Sequence, residues 1–110
     1  MTDCLFCKIV AGEIPAAKVY EDDHAIAFRD IDPKAPVHDL IIPRTHVASI
    51  ADLPDTLAGP MLRAIQAVAV QEGVAEGFRV VTNHGPEAGQ SVFHLHFHLL
   101  GGRRMTWPPG

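Results

Sequence analysis

The sequence predicts an α+β fold, with a five-stranded antiparallel sheet, one long helix and a short N-terminal helix. Five short segments rich in apolar and β-branched residues are separated by turn-forming Pro, Gly and Asp residues. One longer segment, between the third and the fourth, has apolar residues at helical spacing. Strands that follow one another favour an antiparallel sheet with a helix packed on one face, so these observations predict an α+β architecture. The 110 residues are expected to form a single domain, 1–110.

The predicted elements follow in order along the chain. A short helix is predicted over 6–11, where a glycine and a proline stop it. Strands are predicted over 18–21, 25–29, 37–42, 78–83 and 92–100. The main helix is predicted over 52–73, because apolar residues recur there at helical spacing until Gly73. Pro60, near the start of this segment, predicts a kink or the start of a second helix.

Charge and composition exclude several classes of protein. The net charge of −4 argues against a protein that grips long nucleic acid through many phosphates, although a single nucleotide needs only a local group of donors. No apolar run is long enough to span a bilayer, so no membrane partner is expected. The first residues lack a basic region followed by an apolar stretch, so we expect no signal peptide and a cytoplasmic protein.

The most informative segment lies near the C-terminus, where His94, His96 and His98 alternate with large apolar residues. In a strand, residues two apart share a face. The alternation therefore predicts a row of three imidazoles on the exposed face of the sheet, opposite the helix unless a partner covers it, with Leu95 and Phe97 in the core. Histidine can act as acid, base, nucleophile or metal ligand near neutral pH.

Cys4 and Cys7 are the only cysteines and have C-x-x-C spacing. In a cytosolic protein such a pair is more often a pair of thiols or of metal ligands than a structural disulfide, and it can also be redox-active. The spacing alone leaves these alternatives open.

The segment from His94 to Leu100 is similar to the signature of the histidine triad superfamily, in which histidines alternate with apolar residues. The similarity covers most of the chain and resembles the nucleotide-binding branch of that superfamily. It includes Glu13-Ile14-Pro15, Gly89-Gln90-Ser91-Val92 and the tail Trp107-Pro108-Pro109-Gly110. The tail distinguishes this branch from the dinucleoside polyphosphate hydrolases.

This resemblance implies a purine nucleoside phosphoramidase or nucleotidyl hydrolase. Such an enzyme would cleave P–N or acyl-adenylate bonds and release AMP through a covalent nucleotidyl-histidine. The resemblance implies no cofactor for catalysis, a purine mononucleotide (AMP or GMP) or a nucleoside phosphoramidate as ligand, and a homodimer whose two sheets join into one.

The resemblance also implies roles for single residues. His96 would be the nucleophile, with its second ring nitrogen donating to a backbone carbonyl. His98 would donate to the phosphate oxygens, and Ser91 would place a hydroxyl beside the leaving group. His38 and His94 would belong to a supporting network behind the nucleophile.

The nucleotide itself would be held by a second set of residues. The implied phosphate cradle consists of Asn83, Gly89, Gln90, Ser91 and Val92, and the implied nucleoside pocket consists of Phe28, Asp30 and Ile31. Asp30 would accept hydrogen bonds from both ribose hydroxyls. Without the resemblance, the two apolar residues are better interpreted as core, whereas for Asp30, Asn83 and Ser91 a turn role and a functional role both stay open. Trp107 is either a plug at a dimer surface or a specificity element near the leaving group.

A metal site is the last expectation. Cys4, Cys7, His46 and His94 match the positions of zinc ligands in metal-binding relatives, and zinc favours four such N and S ligands. The hypothesis is a structural zinc that ties the N-terminal segment to the sheet. The alternative is a pair of reduced thiols and a surface histidine.

Two further functions compete with the hydrolase. One is a catalytic metalloenzyme in which His94 and His96 hold zinc with His98 or His38 as third ligand. The other is a nucleotide-binding regulatory or scaffold protein with little catalysis. The physiological leaving group and the choice between adenine and guanine are not determined by the sequence.

Overall fold

The computed structural model describes residues 3–110. Its two α-helices are α1 (Leu5–Val10) and α2 (Asp55–Gln71). Its five strands are β1 (Lys18–Glu21), β2 (Ala25–Arg29), β3 (Val37–Pro43), β4 (Phe78–Val81) and β5 (Phe97–Gly101). Single 3₁₀ turns at Ile50–Asp52 and Pro86–Ala88 punctuate the two longest connections.

The five strands form one antiparallel sheet in the order β1-β2-β3-β5-β4, which confirms the predicted fold class. The last strand therefore inserts between β3 and β4 rather than adding to an edge. Its register aligns His98 with Leu40 on β3 and with Val81 on β4. This placement makes β5, which follows the other histidines of the triad, an interior strand of the sheet.

The predicted bounds of β5 and β4 are wrong. Strand β5 begins at Phe97 rather than at residue 92, and β4 ends at Val81 rather than at residue 83. The reason is that backbone groups just before β5 bond to loops instead of to a strand. The Leu95 N–H donates to the Val47 carbonyl, and the Thr82 hydroxyl donates to the His96 carbonyl over 2.8 Å.

The predicted long helix is also shorter than expected, since it covers Asp55–Gln71 rather than 52–73. Proline disfavours helical geometry in the residue before it, so Pro54 separates the 3₁₀ turn at Ile50–Asp52 from the helix proper. The helix then continues through Pro60, which does not start a second helix. At the other end Gly73 has a φ of 76°, which favours glycine and ends the helix.

Each face of the sheet is covered by one helix. On one face α2 buries residues such as Met61 and Val68 against Ile41 and Leu99. Leu95 and Phe97 belong to this same core, as the alternation predicted.

The opposite face packs against α1. Phe6 and Ile9 of α1 lie against Phe28, Leu40 and Ile42. The imidazole row lies on this side, and α1 covers part of it. The row is therefore not fully exposed as predicted, because the N-terminal segment of the same chain buries His94 and His96.

A carboxyl pair lies inside the α2 face. Asp39 of β3 is completely buried, and none of its carboxylate oxygens has a hydrogen-bond donor within residues 3–110. Burial raises the pKa of Asp39 to about 7, and the neighbouring Glu72 carboxyl adds to the effect. Arg29, the cross-strand partner of Asp39, lies 3.2 Å from Glu72. One arginine thus faces two carboxyl groups at the end of α2.

Within the described part of the chain, neither helix has the length and apolar character needed to cross a bilayer.

Candidate active site

The imidazole row keeps its alternation although only His98 lies within a regular strand. His94 and His96 precede β5, and the ring centroids of His96 and His98 are 5.2 Å apart. His94 is fully buried and His96 is 8% exposed. Phe6 meets both rings edge-on, with its centroid 5.1 Å from that of His96 and 5.9 Å from that of His94. Phe6 of α1 therefore covers His94 and His96.

The tautomer of His96 follows from the one hydrogen bond that its ring makes within residues 3–110. Its Nδ1 lies 2.8 Å from the backbone carbonyl of His94. A carbonyl oxygen only accepts, so Nδ1 carries the proton and the lone pair of the neutral ring is on Nε2. The two nitrogens of an imidazole point in divergent directions, so this lone pair is directed away from the His94 carbonyl. Such a ring is oriented to attack an electrophile.

A second chain of hydrogen bonds orients His98. The backbone N–H of Lys34 donates to His38 Nδ1 over 2.9 Å, so neutral His38 carries its proton on Nε2. That Nε2 lies 2.9 Å from His98 Nδ1 and 3.4 Å from Asp30 Oδ2. Donation from His38 to His98 leaves the proton of His98 on its Nε2. Neutral His98 is thereby set as a hydrogen-bond donor.

Burial keeps these rings neutral. It lowers the pKa of His98 to about 4, and the neighbouring His96 and His38 add to the decrease. Burial also lowers the pKa of His38, although Asp30 opposes it, and lowers the pKa of His94. His38, His94 and His98 are therefore neutral at neutral pH and form hydrogen bonds without adding positive charge.

The four residues of the metal hypothesis come together on the other side of the row. Ligand atoms of Cys4, Cys7, His46 and His94 all lie within 4.8 Å of one another. His94 Nδ1 is 3.3 Å from Cys4 Sγ and 3.5 Å from Cys7 Sγ, while His46 Nδ1 is 3.3 Å from Cys7 Sγ. Tetrahedral zinc with bonds of about 2.0–2.3 Å needs ligand atoms about 3.3–3.8 Å apart. The donor types and the spacing are thus compatible with zinc.

The tautomer of His94 agrees with a ligand role. Its Nε2 donates to the Pro43 carbonyl over 2.9 Å, which leaves the lone pair on Nδ1, the atom that faces the two thiols. His94 also supplies the carbonyl that orients His96. One residue therefore connects the Cys/His cluster to the proposed nucleophile.

A cavity of about 400 Å³ opens beside His98. Of the residues that the sequence assigned to substrate or catalysis, it brings together Asp30, His38, Asn83 and His98. Asp30 Oδ1 accepts from the Asp32 N–H, as a turn residue would, while Oδ2 faces the cavity side at His38. Asp30 can therefore stabilise the turn with one carboxylate oxygen and leave the other oxygen for a ligand.

Phe28 and Ile31, the two apolar residues of the implied nucleoside pocket, behave differently. Phe28 is buried and packs against Phe6, with ring centroids 5.6 Å apart. Ile31 is fully exposed, so its interpretation as a core residue is wrong. A bare isoleucine next to Asp30 is an apolar surface available to a ligand.

The implied phosphate loop is held by a buried glutamine. The Gln90 side chain accepts from the Gly85 N–H and donates to the carbonyls of Ala48 and Val92, so it ties the loop to its neighbours and does not face the cavity. Gly89 has a φ of 97°, a backbone conformation that other residues rarely adopt.

Ser91 and Val92 line a second cavity of about 430 Å³, next to Cys4 and His46. Ser91 is therefore not among the residues that line the cavity beside His98.

Sequence reasoning missed three residues of the site. Phe6 covers the imidazole row, Thr82 fixes the backbone of His96, and Arg79 lines the cavity beside His98. Each contact joins residues far apart in sequence. The role of Arg79 could have been inferred only from the register of β4 against β5.

Comparison with known proteins gives a consistent result. The family model of the HIT domain matches residues 11–105. The chain is 49% identical to a 14 kDa zinc-binding protein of Brassica juncea, over 98% of this chain and 100% of that one. It is also 49% identical to the adenylylsulfatase HINT1 of Arabidopsis thaliana, over 96% of this chain and 76% of that one.

Among solved structures, a HIT family hydrolase from Legionella pneumophila superposes with a TM-score of 0.93. The two chains are 52% identical, and the match covers 98% of this chain and 100% of the other.

Proposed function

The chain belongs to the HIT family of nucleotide hydrolases, and from this premise we propose that it is a purine nucleoside phosphoramidase. In this proposal it cleaves P–N or acyl-adenylate bonds, releases AMP and passes through a nucleotidyl group on His96. The observation that carries the proposal is the hydrogen bond from His96 Nδ1 to the His94 carbonyl, which leaves the Nε2 lone pair for attack.

The proposed reaction has two balanced steps. His96 Nε2 forms a bond to phosphorus while the P–N bond of the substrate breaks, and the departing nitrogen takes one proton. Water then attacks the same phosphorus, the bond to His96 breaks, and one proton returns to solvent as AMP forms. The sum is hydrolysis to AMP and a free amine. The covalent intermediate divides one difficult displacement into two easier ones.

The surrounding residues support this chemistry in distinct ways. His98 Nε2–H would donate to a phosphate oxygen, and a preorganised donor of this kind is worth roughly 10²–10³-fold in rate. Asn83, in the same cavity, and the backbone amides of the loop that Gly89 and Gln90 shape would complete the phosphate cradle. Asp30 would accept from the ribose hydroxyls.

The nucleoside would extend from the ribose toward apolar residues. Exposed Ile31 and the edge of Phe28 would contact the purine, which fits AMP or GMP equally. Ser91 lines the second cavity, so its hydroxyl would contribute to the phosphate cradle rather than contact a leaving group in the cavity beside His98.

We propose that the Cys/His cluster holds structural zinc. Cys4, Cys7, His46 and His94 would bind it, and the ion would fix α1 and the segment before β5 in place. His96 is outside this cluster, and its Nδ1 is engaged by a carbonyl, which favours a structural role over catalytic zinc. Asp30, His38 and His98 also lie close together, but the hydrogen bonds among them account for that proximity.

We also propose a homodimer. Strand β4 is an edge of the sheet, and its Phe78 and Val80 are partly exposed. Leu62 and Val70 of α2 are more than half exposed. Pairing of two β4 edges would join the two sheets and cover these apolar side chains. Light scattering across a concentration series tests the proposal, and a monomer at every concentration would contradict it.

The deciding experiment traps the intermediate. The protein is mixed with adenosine 5′-phosphoramidate, quenched at alkaline pH because phosphohistidine is acid-labile, and analysed by mass spectrometry of peptides. We expect an adenylyl group on His96, release of AMP by the wild type, and loss of both in His96→Ala. His24→Ala, a histidine in an exposed turn, is the matched control and should retain both.

Two results would contradict the proposal. Undiminished turnover in folded His96→Ala would exclude the nucleophile. Tight AMP binding by the wild type without turnover of any phosphoramidate would instead favour the nucleotide-binding regulatory or scaffold protein.

A further inference from the structure

The cavity beside His98 has a cationic side that the proposed mechanism does not use. Its charged lining residues are the acidic Asp30 and Asp32 and the basic Lys34, Arg79 and Arg103. Lys34 Nζ lies 2.8 Å from an oxygen of Asp32, so its charge is largely compensated. Neither Arg79 nor Arg103 has a carboxylate within ion-pair distance in the part of the chain that the structure describes.

The strand register places Arg79 on the same face as the imidazoles. Val81 lies opposite His98, and Arg79 lies opposite Leu100. Residues two apart in a strand share a face. Arg79 on β4 is therefore on the same face as His98 on β5, displaced from it by two residues along the strand direction. The two Cα atoms are then about 8–9 Å apart, given a rise of about 3.4 Å per residue and about 5 Å between strands. An extended arginine side chain covers most of that distance.

The direction of the proposed attack leads toward this side of the cavity. Along the chain the order is His96, His98 and then Leu100, and the lone pair of His96 is directed away from the His94 carbonyl. In phosphoryl transfer the attacking and leaving atoms are roughly in line with phosphorus. A phosphate held between His96 and His98 would therefore release its leaving group over Leu100, toward Arg79.

Two further contacts hold the cationic side in place. The Arg79 guanidinium lies over the Trp107 ring, 5.8 Å from its centroid, so it is stacked on the C-terminal tail. Arg103 Nε donates to the Lys34 carbonyl, which ties the tail to the loop before β3. Met105 and Pro109 of the same tail line the cavity as well.

We propose that Arg79, assisted by Arg103, forms a leaving-group subsite for a negatively charged group. This inference rests on the proposed nucleotidyl hydrolase activity and specifies its substrate class. The preferred substrates are adenylates whose leaving amine carries an acidic group, such as a carboxylate, a few atoms from the scissile nitrogen. The histidines supply hydrogen bonds to the phosphate, and the arginines supply positive charge to the leaving group.

The test compares two substrates that differ only in that charge. Adenosine 5′-phosphoramidates of β-alanine and of propylamine have aliphatic amines of the same length and similar basicity, and only the first carries a carboxylate. We expect the wild type to have the higher kcat/KM for the β-alanine compound, by roughly tenfold for one charge-assisted contact. Added NaCl should reduce this preference, because Arg103 and the mouth of the cavity are exposed.

The substrate preference should depend on the arginine charge. Arg79→Gln should lower the ratio of the two kcat/KM values about tenfold, and Arg79→Lys should restore part of it. Arg103→Gln should have a smaller effect in the same direction. Arg104→Gln is the matched control, because Arg104 is exposed on the same tail but does not line the cavity.

Each outcome decides the proposal. A kcat/KM ratio near one in the wild type, or a ratio that is unchanged in Arg79→Gln, overturns the proposal. An equal loss of kcat/KM with both substrates also leaves the ratio unchanged, and it assigns Arg79 to phosphate binding or to stability instead. If the wild type hydrolyses neither compound, the proposed function fails. Calorimetric binding of the same two compounds then tests the subsite by itself, and equal affinities would overturn it.

Discussion

Replacement of Asp39 by Asn should stabilise the protein at alkaline pH. Asp39 is fully buried beside Glu72, and burial raises the pKa of its carboxyl from 3.8 to about 7. The folded protein therefore holds this proton more tightly than the unfolded chain does. Stability from this group is lost as pH rises from about 4 to about 7, and above pH 7 the folded protein carries the whole penalty of a buried carboxylate.

The magnitude follows from the pKa difference. About three pH units at 1.36 kcal/mol each give an upper limit of about 4 kcal/mol. Asparagine has the same shape as aspartate but cannot ionise, and its amide can donate to Glu72. We expect Asp39→Asn to exceed the wild type in free energy of unfolding by about 2–4 kcal/mol at pH 8 and to differ by less than about 1 kcal/mol at pH 4.

Urea denaturation at pH 4, 6 and 8 measures this effect. The wild-type pH profile alone does not isolate Asp39, because the lowered pKa values of His38, His94 and His98 make stability fall as pH drops below 6.5. The difference between Asp39→Asn and wild type at each pH cancels the contributions of these histidines. Asp52→Asn makes the same substitution at an exposed position and serves as the control, which should lack the gain of about 2–4 kcal/mol at pH 8 because no buried carboxyl is removed. A gain at pH 8 no larger than at pH 4, or a loss at pH 8, would refute the reasoning.

Three further predictions concern the groups that hold the imidazole row. Phe6→Ala should lower the free energy of unfolding, measured by urea denaturation, by about 3–4 kcal/mol, because it removes the buried ring that covers the histidines. Leu5→Ala, at a half-exposed position of the same helix, should lower it by less than about 1 kcal/mol, and equal losses would contradict the role of α1 as a cover. Thr82→Val removes the donor to the His96 carbonyl and should lower kcat about tenfold with little change in KM, as steady-state kinetics with adenosine 5′-phosphoramidate would show. Cys4→Ser should reduce zinc, measured by elemental analysis, from about one equivalent per chain to near zero and lower the thermal midpoint; full zinc content would exclude Cys4 as a ligand.

Local sequence patterns predicted the sheet well because they report directly on which face is buried. The alternation around Phe97 separates core side chains from imidazoles over the whole triad, even where the ladder is interrupted. The patterns do not reveal where backbone hydrogen bonds go. The start of β5 and the start of α2 were therefore misplaced, since a contact with Val47 and the geometry imposed by Pro54 decide them.

The cover of the histidines was not predictable from the pattern. An apolar residue such as Phe6 in a six-residue helix is compatible with several packing partners. The alternation predicted that the three histidines share one face of the sheet, but it did not predict that α1 of the same chain covers two of them. The exposure of Ile31 and the inward direction of Gln90 were equally inaccessible, because both depend on loops far apart in sequence.

By itself, the sequence determined the sheet, the long helix on one face and the side of the sheet on which the histidines lie, because periodicity is a local property of the chain. Only the tertiary structure decided which nitrogen of each imidazole holds the proton. Backbone groups of His94, Pro43 and Lys34 fix those tautomers, and they reach the rings only after folding. The same folding places Arg79 beside the histidines, since long-range strand register, rather than any local pattern, sets which side chains share a cavity.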